Sequence, residues 1–121
     1  MQARSSGFEW MAWIATGFFS LLIGFFALMP VPPGAMAVPS DKLMHVIAFA
    51  VLVLPLSMIF ARKALFIFAG AVAYGLLIEV VQPYAGRMFE LGDLWADALG
   101  AIIGIGLGSV LSGLAQRVRQ A

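Results

Sequence analysis

The feature that most constrains this chain is a set of four apolar windows, each near 20 residues and almost without charge: about residues 10–29, 43–60, 64–82 and 93–114. A helix rises about 1.5 Å per residue, so roughly 20 residues cross the ~30 Å hydrocarbon core of a bilayer. A helix also satisfies its own backbone hydrogen bonds in lipid, which an isolated strand does not. The remainder of the chain cannot supply a water-facing surface. Of its 121 residues 63% are hydrophobic and 11% charged, and its mean hydropathy is +1.02, the balance of a membrane protein. The expected fold is all-α: a polytopic four-transmembrane-helix bundle, one domain over residues 1–121.

The joints between windows are short. They are the Pro-rich segment from Pro30 to Lys42, the basic pair Arg62-Lys63, and the segment from Pro83 to Gly92. Pro83 cannot continue a helix and is expected to stop the third span, whereas Pro55 lies inside the second and is expected to kink it. Pro30, Pro32 and Pro33 predict a stiff extended loop with no cofactor attached. Basic residues near the span ends set the orientation. Arg4, Arg62, Lys63, Arg117 and Arg119 fall on one side, Lys42 and Arg87 on the other. This bias predicts both termini in the cytoplasm, the two polar loops outside, and Trp10 and Trp13 in the inner interfacial belt. Arg4, the following apolar run and the triplet Ala35-Met36-Ala37 have the outline of a secretory signal. The run is too long and too aromatic for a signal core of about 7–15 residues, so it is expected to remain as an anchor.

Composition also excludes function classes. The chain has no cysteine, which removes disulfides, zinc-thiolate sites and thiol nucleophiles. No basic patch is large enough for nucleic acid. Five of the six acidic residues, the single histidine and two basic residues instead gather near the ends of three windows. Asp41, Lys42 and His45 open the second; Glu79 and Gln82 close the third. Arg87, Glu90 and Asp93 lead into the fourth, with Asp97 one turn deeper. Asp41 and His45 are four apart, as are Asp93 and Asp97, and Glu79 and Gln82 are three apart, so each pair shares a helical face. The second and fourth spans start on the side where the third ends, which brings the pairs to one depth. An ionisable group at a helix centre in lipid costs about 2.5–3.5 kcal/mol on insertion scales. His45, Glu79 and Asp97 are therefore expected to face inward and pair with Lys42 and Arg87.

These residues resemble a known family. Asp41-Lys42-x-x-His45 followed by Phe49 is similar to the first signature of the VanZ-like membrane proteins. The run Glu79-x-x-Gln82-x-Tyr84-x-x-Arg87-x-x-Glu90-x-x-Asp93-x-x-x-Asp97-x-x-Gly100 is similar to the second. The two motifs occur in order and cover about Asp41 to Gly108; the first span resembles the family only as a hydrophobic segment. Many members carry Asn where this chain has Asp97, so here an extra carboxylate adds negative charge or holds a proton. The family is named for an accessory protein associated with resistance to a glycopeptide antibiotic, and the resemblance implies an envelope-related role in a bacterial inner membrane. It implies no agreed reaction.

Several uses of the polar set remain open. One is a buried ion-pair network that fixes helix packing. Another is an outer-face site for an envelope lipid or glycolipid headgroup, with Arg87 and Lys42 on phosphate and Glu79, Gln82 and Asp93 on hydroxyls. A third is acid–base catalysis on a lipid-linked substrate by His45 with Glu79 or Asp93, although neither motif holds a serine nucleophile. A metal on His45 and carboxylates is a weak signal, because one histidine without a repeated ligand spacing is poorly diagnostic. No cofactor and no metal are expected. Membrane lipids are the expected partners, with a role as non-catalytic accessory subunit of a larger membrane complex as the alternative. Separately, Ala96, Gly100, Gly104, Gly108 and Ser112 recur every four residues, a small-residue stripe suited to close helix packing within the bundle. Phe18, Phe19, Phe25 and Phe26 are expected to face lipid or fill packing gaps.

Overall fold

The computed structural model describes residues 6–29, 41–86 and 90–121, together with the backbone alone at Ser6 and Asp41. Arg4, residues 30–40 and Arg87 lie outside these residues. Four helices make the fold: α1 (Ser6–Ala27), α2 (Asp41–Ile59), α3 (Ala64–Val81) and α4 (Leu91–Gln120). Each is long and apolar enough to cross a bilayer, and the described residues contain no strand. The protein is an integral membrane protein built as a four-helix bundle.

Element boundaries follow local chemistry. Between α2 and α3 the chain turns through one 3-10 turn, Ala61–Lys63, which places the two basic residues Arg62 and Lys63 at the joint between the two helices. α3 ends at Val81, two residues before Pro83, and passes into a second 3-10 turn, Gln82–Ala85. Gly86 then takes φ +80°, a left-handed conformation that side-chain-bearing residues rarely adopt. α2 continues without interruption through Pro55 to Ile59, although Pro55 offers no N–H to the carbonyl one turn back. α4 is longer than its apolar window. It has 30 residues and carries Arg117 and Arg119 in its last turn; at about 1.5 Å per residue it outreaches a ~30 Å core, and the extra turns bear the charges.

The centre of the bundle is the α2–α4 seam, which is the largest interface in the molecule; α3 packs on α4 and α1 on α2. Close approach of backbones explains the seam. A Cβ placed on Gly100 would lie 2.3 Å from the carbonyl oxygen of Val46, one on Gly104 2.4 Å from that of Ala50, and one on Gly108 2.5 Å from Ser57 Cβ. Ala96, Gly100, Gly104, Gly108 and Ser112 are all buried. Phe49, Leu52, Val53, Ala71, Ile78 and Ala101 form the apolar core, with Phe19 and Tyr74 packed against it.

α1 is attached more thinly. Its one described fully buried hydrophobic side chain is Ala12, and Phe18, Phe25 and Phe26 are exposed, as lipid-facing rings should be. Trp13 meets Phe60 of the α2–α3 turn with ring centroids 6.2 Å apart. Between α1, α2 and α3 lies an apolar crevice of about 530 Å³, bordered by Trp13, Leu56, Phe66 and Tyr74, with Lys63 at its edge.

Candidate functional site

At the opposite end from Lys63, the start of α2, the end of α3 and the start of α4 converge. Their polar side chains form one connected cluster. Lys42 reaches from α2 to Glu90 Oε2 at 3.0 Å and to Asp93 Oδ1 at 3.2 Å. Its stem crosses Gly92, where any Cβ would lie 2.9 Å from Lys42 Cε. The Lys42 side chain is 56% exposed and that of Glu90 51%, so this layer forms the rim of the cluster.

One turn deeper, the His45 imidazole stands between the two α4 aspartates. Nδ1 lies 2.7 Å from Asp97 Oδ1 and Nε2 3.7 Å from Asp93 Oδ2. The i, i+4 spacing of Asp93 and Asp97 lets one ring span both carboxylates. Asp97 is 1% exposed and lies against α3 at Gly75, where an added Cβ would come within 2.7 Å of its Oδ2.

Glu79 closes the cluster from α3. It is 0% exposed, and its Oε2 accepts the backbone N–H of Glu90 at 3.1 Å. That N–H belongs to the residue preceding α4, so the carboxylate also faces the positive end of the α4 backbone dipole. Its other oxygen, Oε1, has no hydrogen-bond partner among the described residues. Glu79, Asp93 and Asp97 are thus three buried carboxylates; among the described residues Lys42 contacts Asp93, and His45 contacts Asp93 and Asp97. One nitrogen of His45 and one oxygen from each of Glu79 and Asp97 all lie within 4.8 Å of one another, which makes these three side chains a donor set able to hold a cation.

The structure therefore brings Lys42, His45, Glu79, Glu90, Asp93 and Asp97 together. Gln82 goes elsewhere: its Nε2 donates to the carbonyl oxygen of Ala27 at 3.0 Å and ties α3 to the end of α1. Asp41 begins α2, with its side chain outside the described set, as is Arg87. Three contributors escaped sequence reasoning. Gly75 and Gly92 supply the room in which Asp97 and Lys42 lie. Gly75 stands four residues before Glu79 on one α3 face, a spacing that offered a signal. The hydroxyl of Tyr74 donates to the carbonyl oxygen of Ser20, and nothing in the residue spacing points to that bond.

Chemically the cluster is rich in acceptors and graded in depth. A half-exposed ammonium lies at its mouth and an imidazole held by two carboxylates lies below. A buried carboxylate with one engaged oxygen lies beside them. No curated protein and no solved structure matches the chain. The sequence model of the family described as VanZ/LLP1 matches residues 8–112, and the match begins in α1, so it takes in the first span as well as the two motif regions. With the polar cluster, α2 and α3 inside the matched region and most of α1 and α4 as well, the chain belongs to the VanZ/LLP1 family.

Proposed function

We propose that the polar cluster binds the headgroup of an envelope lipid or glycolipid at the outer face of a bacterial inner membrane. The observation that carries this reading is the position of Lys42: half exposed, at the start of a spanning helix, and bridging the exposed Glu90 to the buried Asp93. A phosphate entering from the headgroup layer competes for that ammonium. When Lys42 turns toward it, Glu90 and Asp93 become free to accept hydrogen bonds from the hydroxyl or ammonium groups of the same headgroup. The exchange keeps every charge partnered, which a partly buried site requires. A bare anion would be repelled by the carboxylates, whereas a headgroup with both a phosphate and hydrogen-bond donors fits. The outward orientation rests on the excess of basic residues at Arg4, Arg62, Lys63, Arg117 and Arg119 over the two at the cluster end.

Native mass spectrometry of the full chain released from mild detergent tests the reading. The expected result is a chain with one retained phospholipid or glycolipid, and loss of most of that lipid in Lys42→Ala with the bundle still folded. Delipidated protein under conditions that preserve the fold, or equal lipid retention by Lys42→Ala, overturns it. A co-purifying protein in place of lipid would favour the accessory-subunit role.

A further inference from the structure

We propose that His45, Glu79 and Asp97 form a Zn²⁺ site inside the bundle. The inference stands apart from headgroup binding, because it concerns the layer beneath Lys42. Its first support is geometric. Three helices each contribute one donor, an imidazole nitrogen from α2 and carboxylate oxygens from α3 and α4, and no two of these atoms are more than 4.8 Å apart. A tetrahedral ion with bonds of about 2.0–2.2 Å holds its donors roughly 3.4 Å from one another. The 2.7 Å contact between His45 Nδ1 and Asp97 Oδ1 opens slightly, the ion taking the place of the hydrogen between them, and Glu79 draws in.

The second support is independent of the clustering. Glu79 is 0% exposed, and one of its oxygens, Oε1, has no hydrogen-bond partner among the described residues. The other is engaged by the Glu90 N–H. The side chain is therefore held by one oxygen, while the second is buried beside a cluster in which a Glu79 oxygen lies within 4.8 Å of His45 and Asp97 donor atoms. Lys42 does not complete it, because its contacts are with Glu90 and Asp93. A buried carboxylate with an oxygen left without a partner among the described residues is costly, and a cation shared with Asp97 offsets that cost.

The surroundings fit a metal-bound imidazole. With Nδ1 on the ion, Nε2–H faces Asp93 Oδ2, 3.7 Å away, and Asp93 Oδ1 is held in turn by Lys42. A carboxylate behind a ligating histidine fixes the ring and raises its basicity. One nitrogen with two carboxylates suits Zn²⁺ better than Ca²⁺, which takes 6–8 oxygens, or Mg²⁺, which keeps several waters. Three protein ligands leave a fourth position for water or a substrate oxygen.

The test uses the full chain in mild detergent, stripped with a chelator and titrated with Zn²⁺ by calorimetry, with Co²⁺ as an absorbing substitute. The expected result is one Zn²⁺ per chain, with affinity falling on acidification because binding displaces a proton. Glu79→Gln should weaken binding at least about tenfold, since it keeps an oxygen for the Glu90 N–H and loses the charge; Asp93→Asn should weaken it by about 10–100-fold through the ring. Lys42→Ala should lose the lipid with a smaller loss of metal affinity than Asp93→Asn, and Glu79→Gln should lose the metal with lipid retained, so failure of the zinc site and failure of headgroup binding read differently. Helical circular dichroism and a cooperative melt confirm the fold of each variant. Absence of stoichiometric uptake at about 100 µM Zn²⁺, equal binding by Glu79→Gln, or equal affinity for Mg²⁺ or Ca²⁺ overturns the proposal.

Discussion

The α2–α4 seam and the attachment of α1 solve the same problem in opposite ways. Lipid tails are as apolar as the helices, so hydrophobicity alone gives two spans no reason to meet; close packing and interhelical hydrogen bonds must supply one. The seam relies on packing. Gly100, Gly104 and Gly108 let α4 approach the α2 backbone so closely that a single methyl group would collide with Val46, Ala50 or Ser57. α1 packs on α2 without such close backbone approach and, among the described residues, accepts side-chain hydrogen bonds at its main-chain carbonyls, from Tyr74 at Ser20 and from Gln82 at Ala27, beside a crevice of about 530 Å³. The polar cluster sits at the end of the tightly packed half. A site that depends on distances of a few tenths of an ångström is best placed where the helices cannot slide.

The largest expected effect attacks the seam. Gly100→Leu should prevent α2 and α4 from closing and abolish the folded bundle, because the obstacle is the Val46 backbone rather than a movable side chain. Gly100→Ala should cost about 3 kcal/mol, the upper part of the usual range for overpacking. A thermal melt in mild detergent measures both, and a Gly100→Leu protein with an unaltered melt would remove the seam from its central place.

Next comes the deep layer of the cluster. Asp97→Ala takes the partner from His45 Nδ1 and opens space against Gly75, with an expected loss of about 2 kcal/mol. Asp97→Asn keeps the volume and an acceptor for the imidazole, so it should melt close to the parent. The difference between the two variants separates shape from charge at this position.

These variants also show what was legible beforehand. Apolar windows near 20 residues indicated the number of helices and located them well, since α3 occupies Ala64–Val81 against an expected 64–82. The far end of α4 was less visible: helix persists to Gln120, beyond the apolar window, because a helix leaving the bilayer needs no further hydrophobic residues. Around the cluster, spacing placed residues on helical faces but said nothing of how each helix is rotated against its neighbours. Glu79 and Gln82 share a face by count, yet Glu79 turns to the α4 start and Gln82 to α1. That choice is made by the carbonyl of Ala27 and the N–H of Glu90, which are backbone groups that no side-chain pattern marks.

A smaller effect is expected on the loosely held side. Tyr74→Phe removes the hydrogen bond to Ser20 and keeps the ring beside Phe49, whose centroid lies 6.1 Å away. Interhelical hydrogen bonds in membranes average about 0.6 kcal/mol, so the global melt should move little. Backbone hydrogen exchange should instead rise in α1 around Ser20 and stay constant in α4. Uniform acceleration through all four helices would mean that α1 belongs to the same cooperative unit as the seam.

The smallest effect is the most direct comparison of the two regions, because it uses the same substitution. A Cβ on Gly17 of α1 would meet nothing within 4 Å, whereas on Gly100 of α4 it would lie 2.3 Å from a carbonyl oxygen. Alanine is the better helix former by up to about 1 kcal/mol in water, an advantage that shrinks in lipid, where unfolded backbone is already discouraged from leaving the helix. Gly17→Ala should therefore leave the melt unchanged or raise it slightly, while Gly100→Ala lowers it. If both alanines lower the melt equally, α1 makes a close contact through Gly17, and its loose attachment would have to be abandoned.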